Sequence, residues 1–284
     1  MISHNNQKKI AVINDLSGFG RCSITVALPI ISHMRLQCCP VPTSIFSNHT
    51  GYEHFFFEDC TQNMREFIKN WKLLGLEFDG IATGFLGSKE QIQIVEEFIQ
   101  TFRTERTKVI IDPVMGDNGE LYPTYTEEMC REMRKLVSYA DILTPNLTEC
   151  CFLTDTPYRP QGWTKAELYA MAEKLSQVGA DKVVISGISM GEYLGNVVYE
   201  RNGEKTIIRS KRIAQERAGT GDVFASIIAG DCVNGVEFSD SVRKAVHFIR
   251  DCMLLTNERQ IPPEDGVCFE ELLHRCLLYT SPSP

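Results

Sequence analysis

Residues 80–111 read GIATGFLGSKEQIQIVEEFIQTFRTERTKVII, and this stretch decides the fold class. Gly80 to Thr83 is a short apolar run bounded by glycine, and Val109 to Ile111 is a second. Runs of this length suit buried strands. Between them Ile92, Val95, Phe98, Ile99 and Phe102 recur at helical spacing, which predicts a helix over Lys89 to Arg103 with one apolar face. A strand, a helix long enough to cross back and another strand make a unit whose two strands run parallel.

The same alternation continues in both directions. Towards the N-terminus the pattern predicts strands at Ile10 to Ile13 and Leu36 to Pro42, and helices at Ile24 to Met34 and Thr61 to Leu74. Towards the C-terminus it predicts helices at Thr126 to Val137 and Ala166 to Val178, with strands at Ile142 to Leu143 and Val183 to Ser186. The runs Asn196 to Tyr199 and Thr206 to Arg209 flank an Asn202-Gly203 pair, a hairpin signal and hence an antiparallel excursion. Helices over Gly221 to Val233 and Asp240 to Thr256 close the pattern. The expectation is an α/β three-layer sandwich, helices on both faces of a mainly parallel sheet. With no linker or repeat, residues 1–276 are expected to form one domain, and Leu277 to Pro284 (LLYTSPSP) a tail outside it.

Composition limits what such a domain can do. A formal charge of −8 argues against nucleic acid or an anionic membrane as the main partner. The 11 cysteines are odd in number, include the adjacent pairs Cys38-Cys39 and Cys150-Cys151, and contain no C-x-x-C, which is free-thiol usage. The polar start, Met1 to Lys9, has no apolar core of a signal peptide, so a cytoplasmic location is expected.

In an open α/β sheet, ligands sit where the strands' carboxyl ends meet loops and helix N-termini. Five such loops carry reactive residues. Ala218-Gly219-Thr220-Gly221-Asp222 leads into a helix of small residues, so its glycines let backbone N–H groups approach an anion with a carboxylate beside them. An acidic first turn that merely complements the helix dipole is the alternative. Asp112-Pro113-Val114-Met115-Gly116-Asp117 ends an apolar strand in carboxylates able to organise Mg²⁺ and its waters around phosphates, although Asp117 to Gly119 also spells an ordinary turn. Thr144-Pro145-Asn146-Leu147-Thr148-Glu149 follows the next strand, and its Asn146 and Glu149 also spell a capping box. Phe46-Ser47-Asn48-His49-Thr50-Gly51 and Asn14-Asp15-Leu16-Ser17-Gly18-Phe19-Gly20 complete the set.

Other chemistries lack their signatures. No G-x-x-x-x-G-K-[ST] occurs, Ser23 stands where a dinucleotide fingerprint needs its third glycine, and no paired Cys/His spacing supports zinc.

Taken together the loops resemble the pyridoxal kinase branch of the ribokinase superfamily. Phe46 to Gly51 resembles that family's substrate loop, Gly84-Phe85-Leu86-Gly87-Ser88 its G-Y-L-G-S, Asp112 to Gly116 its D-P-V-M-G, Thr144 to Glu149 its T-P-N-x-x-E, and Gly219 to Asp222 its G-T-G-D. The likeness runs in order over about residues 8–272. It implies a ribokinase-like fold and an enzyme that uses MgATP to phosphorylate the 5′-hydroxymethyl group of pyridoxal, pyridoxine or pyridoxamine, usually as a homodimer, and it admits a monovalent cation. By this resemblance Asp222 is the base, and the backbone of Gly219, Thr220 and Gly221 receives the transferring phosphoryl group. Asp112, Thr144, Glu149 and Ser186 match nucleotide or metal positions, with Asp112 and Glu149 on Mg²⁺, directly or through water. Asn14, Thr50 and Gly51 match substrate positions. One stretch departs: Asn14 to Gly20 looks more like the D-x-S-G-G-x-G start of hydroxymethylpyrimidine kinases of thiamine synthesis, which is the rival reading. A non-catalytic B6-binding regulator of the same fold is a third.

Overall fold

A computed structural model describes residues 6–213 and 216–276. The expected tail at 277–284 lies outside the described residues. The first half of the chain alternates β1 (Lys9–Phe19), α1 (Ser23–His33), β2 (Gln37–Asn48), β3 (Phe57–Asp59), α2 (Thr61–Leu74), β4 (Gly80–Thr83), α3 (Lys89–Phe102) and β5 (Lys108–Ile111). A small hairpin, β6 (Gly116–Asp117) with β7 (Glu120–Leu121), precedes α4 (Glu127–Leu136) and β8 (Ile142–Leu143). Then come α5 (Leu147–Thr154), α6 (Lys165–Val178), β9 (Lys182–Met190), β10 (Tyr193–Glu200), β11 (Lys205–Lys211), α7 (Thr220–Asn234) and α8 (Phe238–Glu258).

Nine strands form one sheet in the order β11-β10-β9-β8-β5-β4-β1-β2-β3. The central strands are parallel, while β3 at one edge and β10 and β11 at the other are antiparallel. Successive side chains of a strand point to opposite faces, so each strand feeds two cores. In β1, Ala11 and Ile13 join the core under α2 to α6, and Ile10 and Val12 the core under α1, α7 and α8. Val109 and Ile111 of β5, and Val183 and Ile185 of β9, divide from Ile110 and Val184 in the same way. The result is the three-layer sandwich expected from the alternation. All eleven cysteines are free, as their spacing implies.

The ends of the first two strands differ from the sequence reading. β1 continues past Ile13 to Phe19 and β2 past Pro42 to Asn48, so most of two predicted loops is strand. Neither stretch is apolar enough to read as strand. Parallel pairing from Leu16↔Ile45 to Phe19↔Asn48 satisfies their backbone groups beyond the edge of β4, whose contact with β1 stops at Ile13↔Thr83. A register shift between Asn14 and Leu16 turns β1 as it leaves β4.

Candidate active site

From β1 the chain goes to β2 on one side and then, through β4, to the strands on the other, so β1 and β4 flank a topological switch point. Asn14 stands at the end of β1 in this crevice and is 6% exposed. Its Oδ1 accepts the Asp15 N–H at 2.9 Å and the Phe85 N–H at 2.7 Å, and its Nδ2 donates to Asp222 Oδ1 at 3.2 Å. The glycine at 84 is explained here, because a Cβ would overlap the Asn14 amide.

Asp222 lies in the first turn of α7, whose N-cap is Gly219. Gly219 has φ 79°, the left-handed region, and a Cβ there would collide with the Arg21 carbonyl oxygen. No side chain caps the helix, so its opening N–H groups are available to an anion. Gly221 is exposed, and a Cβ on it would meet nothing within 4 Å. The fold therefore does not need glycine at 221, whereas a ligand approaching the backbone would.

Burial raises the Asp222 carboxyl to about 6, and nearby Asp15 adds to the rise; the Ser23 N–H and the Asn14 amide oppose it. Asp112, at the end of β5, is raised to about 8, first by burial and then by repulsion from Asp222, with the Thr144 hydroxyl beside it offsetting part. Glu149 is raised well above the usual carboxylate range by burial and by Asp112. Three acids thus face one another across the carboxyl ends of β1, β5 and β8.

Glu149 also does the structural work that its spacing spelled out. Its Oε2 accepts the Asn146 N–H at 2.8 Å in the capping box of α5, and its Oε1 accepts the Met115 N–H at 3.1 Å, tying the Asp112 loop to that helix. Ser186 lies beside the same loop, its N–H donating to the Pro145 carbonyl at 3.0 Å. Asp117 belongs to the β6–β7 hairpin, where its Oδ1 accepts the Asn118 N–H, so it makes the turn its neighbours suggested.

Thr50 and Gly51 are exposed, in the turn after β2. That turn is anchored from the far end of the chain: His49 Nε2 is 2.6 Å from the Glu264 carbonyl, and the Tyr52 hydroxyl donates to Asp265 Oδ1 at 2.8 Å. Arg217, just before Gly219, donates from Nη1 to the Ile261 carbonyl at 2.6 Å and from Nη2 to Asn257 Oδ1 at 2.9 Å. The stretch 257–265 therefore braces both the α7 entrance and the turn at 49–52. Asn14, Asp112, Thr144, Glu149 and Asp222 come together, Ser186 borders them, and Thr50 and Gly51 lie in the exposed turn after β2.

Residues 27–264 match the phosphomethylpyrimidine kinase family. The chain belongs to that family. A phosphomethylpyrimidine kinase family protein of Bacteroides thetaiotaomicron, provisionally named as such a kinase, superposes with a TM-score of 0.96 at 39% identity, covering 99% of this chain and 97% of that one. A second crystal form of it was solved with pyridoxal, with a TM-score of 0.92. Pyridoxal kinase from Lactobacillus plantarum gives 0.88 at 26% identity over 95% of this chain and 96% of that one. Among curated relatives, sheep pyridoxal kinase is 29% identical over 210 residues, 64% of each chain. Pyridoxal kinase PdxY of Leifsonia xyli is 24% identical over 88% of this chain and 90% of its own. The chain thus spans less than two thirds of the sheep enzyme and most of the bacterial one. The pyridoxal kinase resemblance drawn from five ordered motifs holds for this family member, as does its ribokinase-like fold.

Sequence reading assigned no individual role to Asp15, Ser23 or Arg217. Asp15 and Arg217 adjoin motif residues, but nothing in their spacing reveals that they are buried against the site. Ser23 offered no signal beyond its absence of glycine.

Proposed function

We propose that this protein transfers the γ-phosphoryl group of ATP to the 5′-hydroxymethyl group of pyridoxal, pyridoxine or pyridoxamine. The observation that carries this reading is the pairing of Asp222, with its carboxyl raised to about 6, and the uncapped N-terminus of α7 in the same turn. A base with a pKa near the working pH accepts an alcohol proton well, and free N–H groups at a helix start stabilise the charge of a phosphoryl group in transit. The relative at 39% identity whose crystal form was solved with pyridoxal supports the substrate class.

In this mechanism the substrate hydroxyl oxygen attacks the γ-phosphorus in line while Asp222 takes its proton, and the bond to the β,γ-bridging oxygen breaks to release ADP. The Asn14 amide holds the Asp222 carboxylate; the backbone at Gly219, Thr220 and Gly221 receives the equatorial oxygens. Asn14 is thereby assigned to the base as well as to the substrate side, where Thr50 and Gly51 also belong. Asp112, Thr144, Glu149 and Ser186 are read as nucleotide-side groups.

Mg²⁺ fits the residues present. Asp112, half-buried, and Glu149, buried, are oxygen ligands that repel each other, and a dication offsets that repulsion; two carboxylates suffice for an ion that keeps waters and phosphate oxygens. When bound, the ion neutralises phosphate charge.

Hydroxymethylpyrimidine is the second candidate substrate, favoured by the Asn14 to Gly20 stretch and by the family match. ADP release with MgATP and each of pyridoxal, pyridoxine, pyridoxamine and hydroxymethylpyrimidine decides between them. Turnover on a B6 vitamer at the highest kcat/KM is expected. Turnover on the pyrimidine alone selects the thiamine-side reaction, and vitamer binding without ADP release selects a regulator.

A further inference from the structure

The turn that carries Thr50 and Gly51 is closed by a histidine whose tautomer the surrounding backbone fixes. His49, half-buried directly after β2, has each ring nitrogen bonded to a backbone group that can act in only one way. The Gly51 N–H donates to Nδ1 at 3.1 Å, so Nδ1 carries no proton. The Glu264 carbonyl, 2.6 Å from Nε2, can only accept, so Nε2 carries the proton and donates it. The ring is therefore the Nε2–H tautomer, and it bridges two backbone segments 213 residues apart in the chain, Gly51 and Glu264.

The packing around the ring leaves room for an imidazole and little else. A Cβ on Gly20 would stand 2.6 Å from His49 Cδ2, one on Gly51 would stand 2.8 Å from Cε1, and the Tyr52 ring packs with its centroid 4.7 Å away. The segment that His49 reaches is itself held on the phosphoryl side. The Arg21 N–H donates to the Asp265 carbonyl at 3.2 Å, and the Val267 N–H donates at 3.2 Å to the Ala218 carbonyl, one residue before the N-cap of α7. Residues 264–267 thus touch the turn at 49–52 at one end and the approach to Asp222 at the other.

We propose that His49 is a positioning residue for the vitamer: its Nε2–H bond seats the Thr50-Gly51 turn on residues 264–267, which also hold the start of α7, so that the substrate turn and the phosphoryl-receiving turn keep a fixed separation. The inference rests on the reading of Thr50 and Gly51 as substrate-side residues. A histidine that only closed its own turn would need the Nδ1 bond alone, and asparagine, whose Oδ1 takes the place of Nδ1, would serve as well. A histidine that seats the turn needs the Nε2 donor, which glutamine supplies through its own Nε2 amide.

The test compares kcat, both KM values and thermal stability for His49→Ala, His49→Asn and His49→Gln, assayed with MgATP and pyridoxal. His49→Ala and His49→Asn are expected to raise the KM for pyridoxal by roughly 3- to 10-fold, the scale of one lost hydrogen bond, with the KM for ATP unchanged. His49→Gln is expected to stay nearer the wild type than either. If His49→Ala does not fold, the Asn and Gln variants carry the comparison. Wild-type KM for pyridoxal in His49→Ala or His49→Asn, or a His49→Gln as impaired as His49→Ala, overturns the proposal. So does a rise shared equally by the KM for ATP, which marks general loosening. Nitrogen NMR of histidine-labelled protein in mildly alkaline solution, with the His49 signal identified by its loss in His49→Gln, should show the Nε2–H tautomer; an Nδ1–H ring overturns the bridge. Thr50→Ala serves as the control: unchanged pyridoxal kinetics in that variant remove the substrate-side reading itself, whereas a raised KM there with normal His49 variants removes only the positioning role.

Discussion

Asn14 Nδ2 and Asp222 Oδ1, 208 residues apart in the chain, are 3.2 Å apart in space. The amide cannot usefully turn over, because its oxygen already accepts two backbone N–H groups, from Asp15 and Phe85. A flipped amide would set its NH₂ against both of these donors. The end of β1 and the loop after β4 thus jointly orient the acid at the start of α7.

Replacing Asn14 by Ala removes one donor that lowers the Asp222 pKa, so the acid limb of the kcat/KM profile should move to higher pH as kcat falls. Gly84→Ala should reproduce much of this defect with Asn14 still present, since the new methyl group overlaps the amide. pH profiles of the two variants check this; an unchanged acid limb in both would assign Asn14 elsewhere.

Asp222→Asn should fold normally and lose turnover by about 10²- to 10⁴-fold, the usual share of a general base, with little change in the KM for ATP. In the wild type the base works when ionised, so kcat/KM should decline as pH falls through about 6. An acid limb near the ordinary Asp value of 3.8 would contradict the burial that raises this group.

The two glycines of the α7 entrance should separate. At position 219 any side chain meets both a left-handed φ and the Arg21 carbonyl, so Gly219→Ala is expected to lower the melting temperature. At position 221 the space is open, so Gly221→Val should melt near the wild type yet lose activity, because its side chain occupies the path of the anion. Thermal melts beside steady-state kinetics distinguish the two effects, and a fully active Gly221→Val would move the anion site away from this turn.

Asp112, raised from 3.8 to about 8, also predicts how stability depends on pH. Between those values the native state holds a proton that the unfolded chain has released, so stability of the ligand-free protein should fall as pH rises through this window. Asp112→Asn removes the ionisation and should flatten that decline, leaving a ligand-free variant that melts higher than the wild type at pH about 8 while losing activity. Differential scanning fluorimetry across pH, with and without MgATP, measures it. A wild-type melting temperature that tracks that of Asp112→Asn with a constant difference over the same window would show that Asp112 is ionised without its cation.

The sequence by itself determined the architecture and the neighbourhoods of the chemistry. Helical and strand periodicities are local properties, so Ile92, Val95, Phe98, Ile99 and Phe102 mark the buried face of α3 without reference to anything beyond it. The capping box at Asn146 and Glu149, the free cysteines and the Gly-Thr-Gly-Asp turn were legible for the same reason. Only the tertiary structure decided that β1 and β2 continue as strands, because their outer halves are polar and gain backbone partners solely by lying side by side. It also decided what the polar groups do. Asn14 joins β1 to Phe85 and Asp222, and Asp15 accepts the Ser23 hydroxyl, contacts that β1, α1, α7 and the loop after β4 make only by coming together. Hydrogen bonds between residues so distant in sequence leave no period for a sequence to carry; burial and geometry assign their partners.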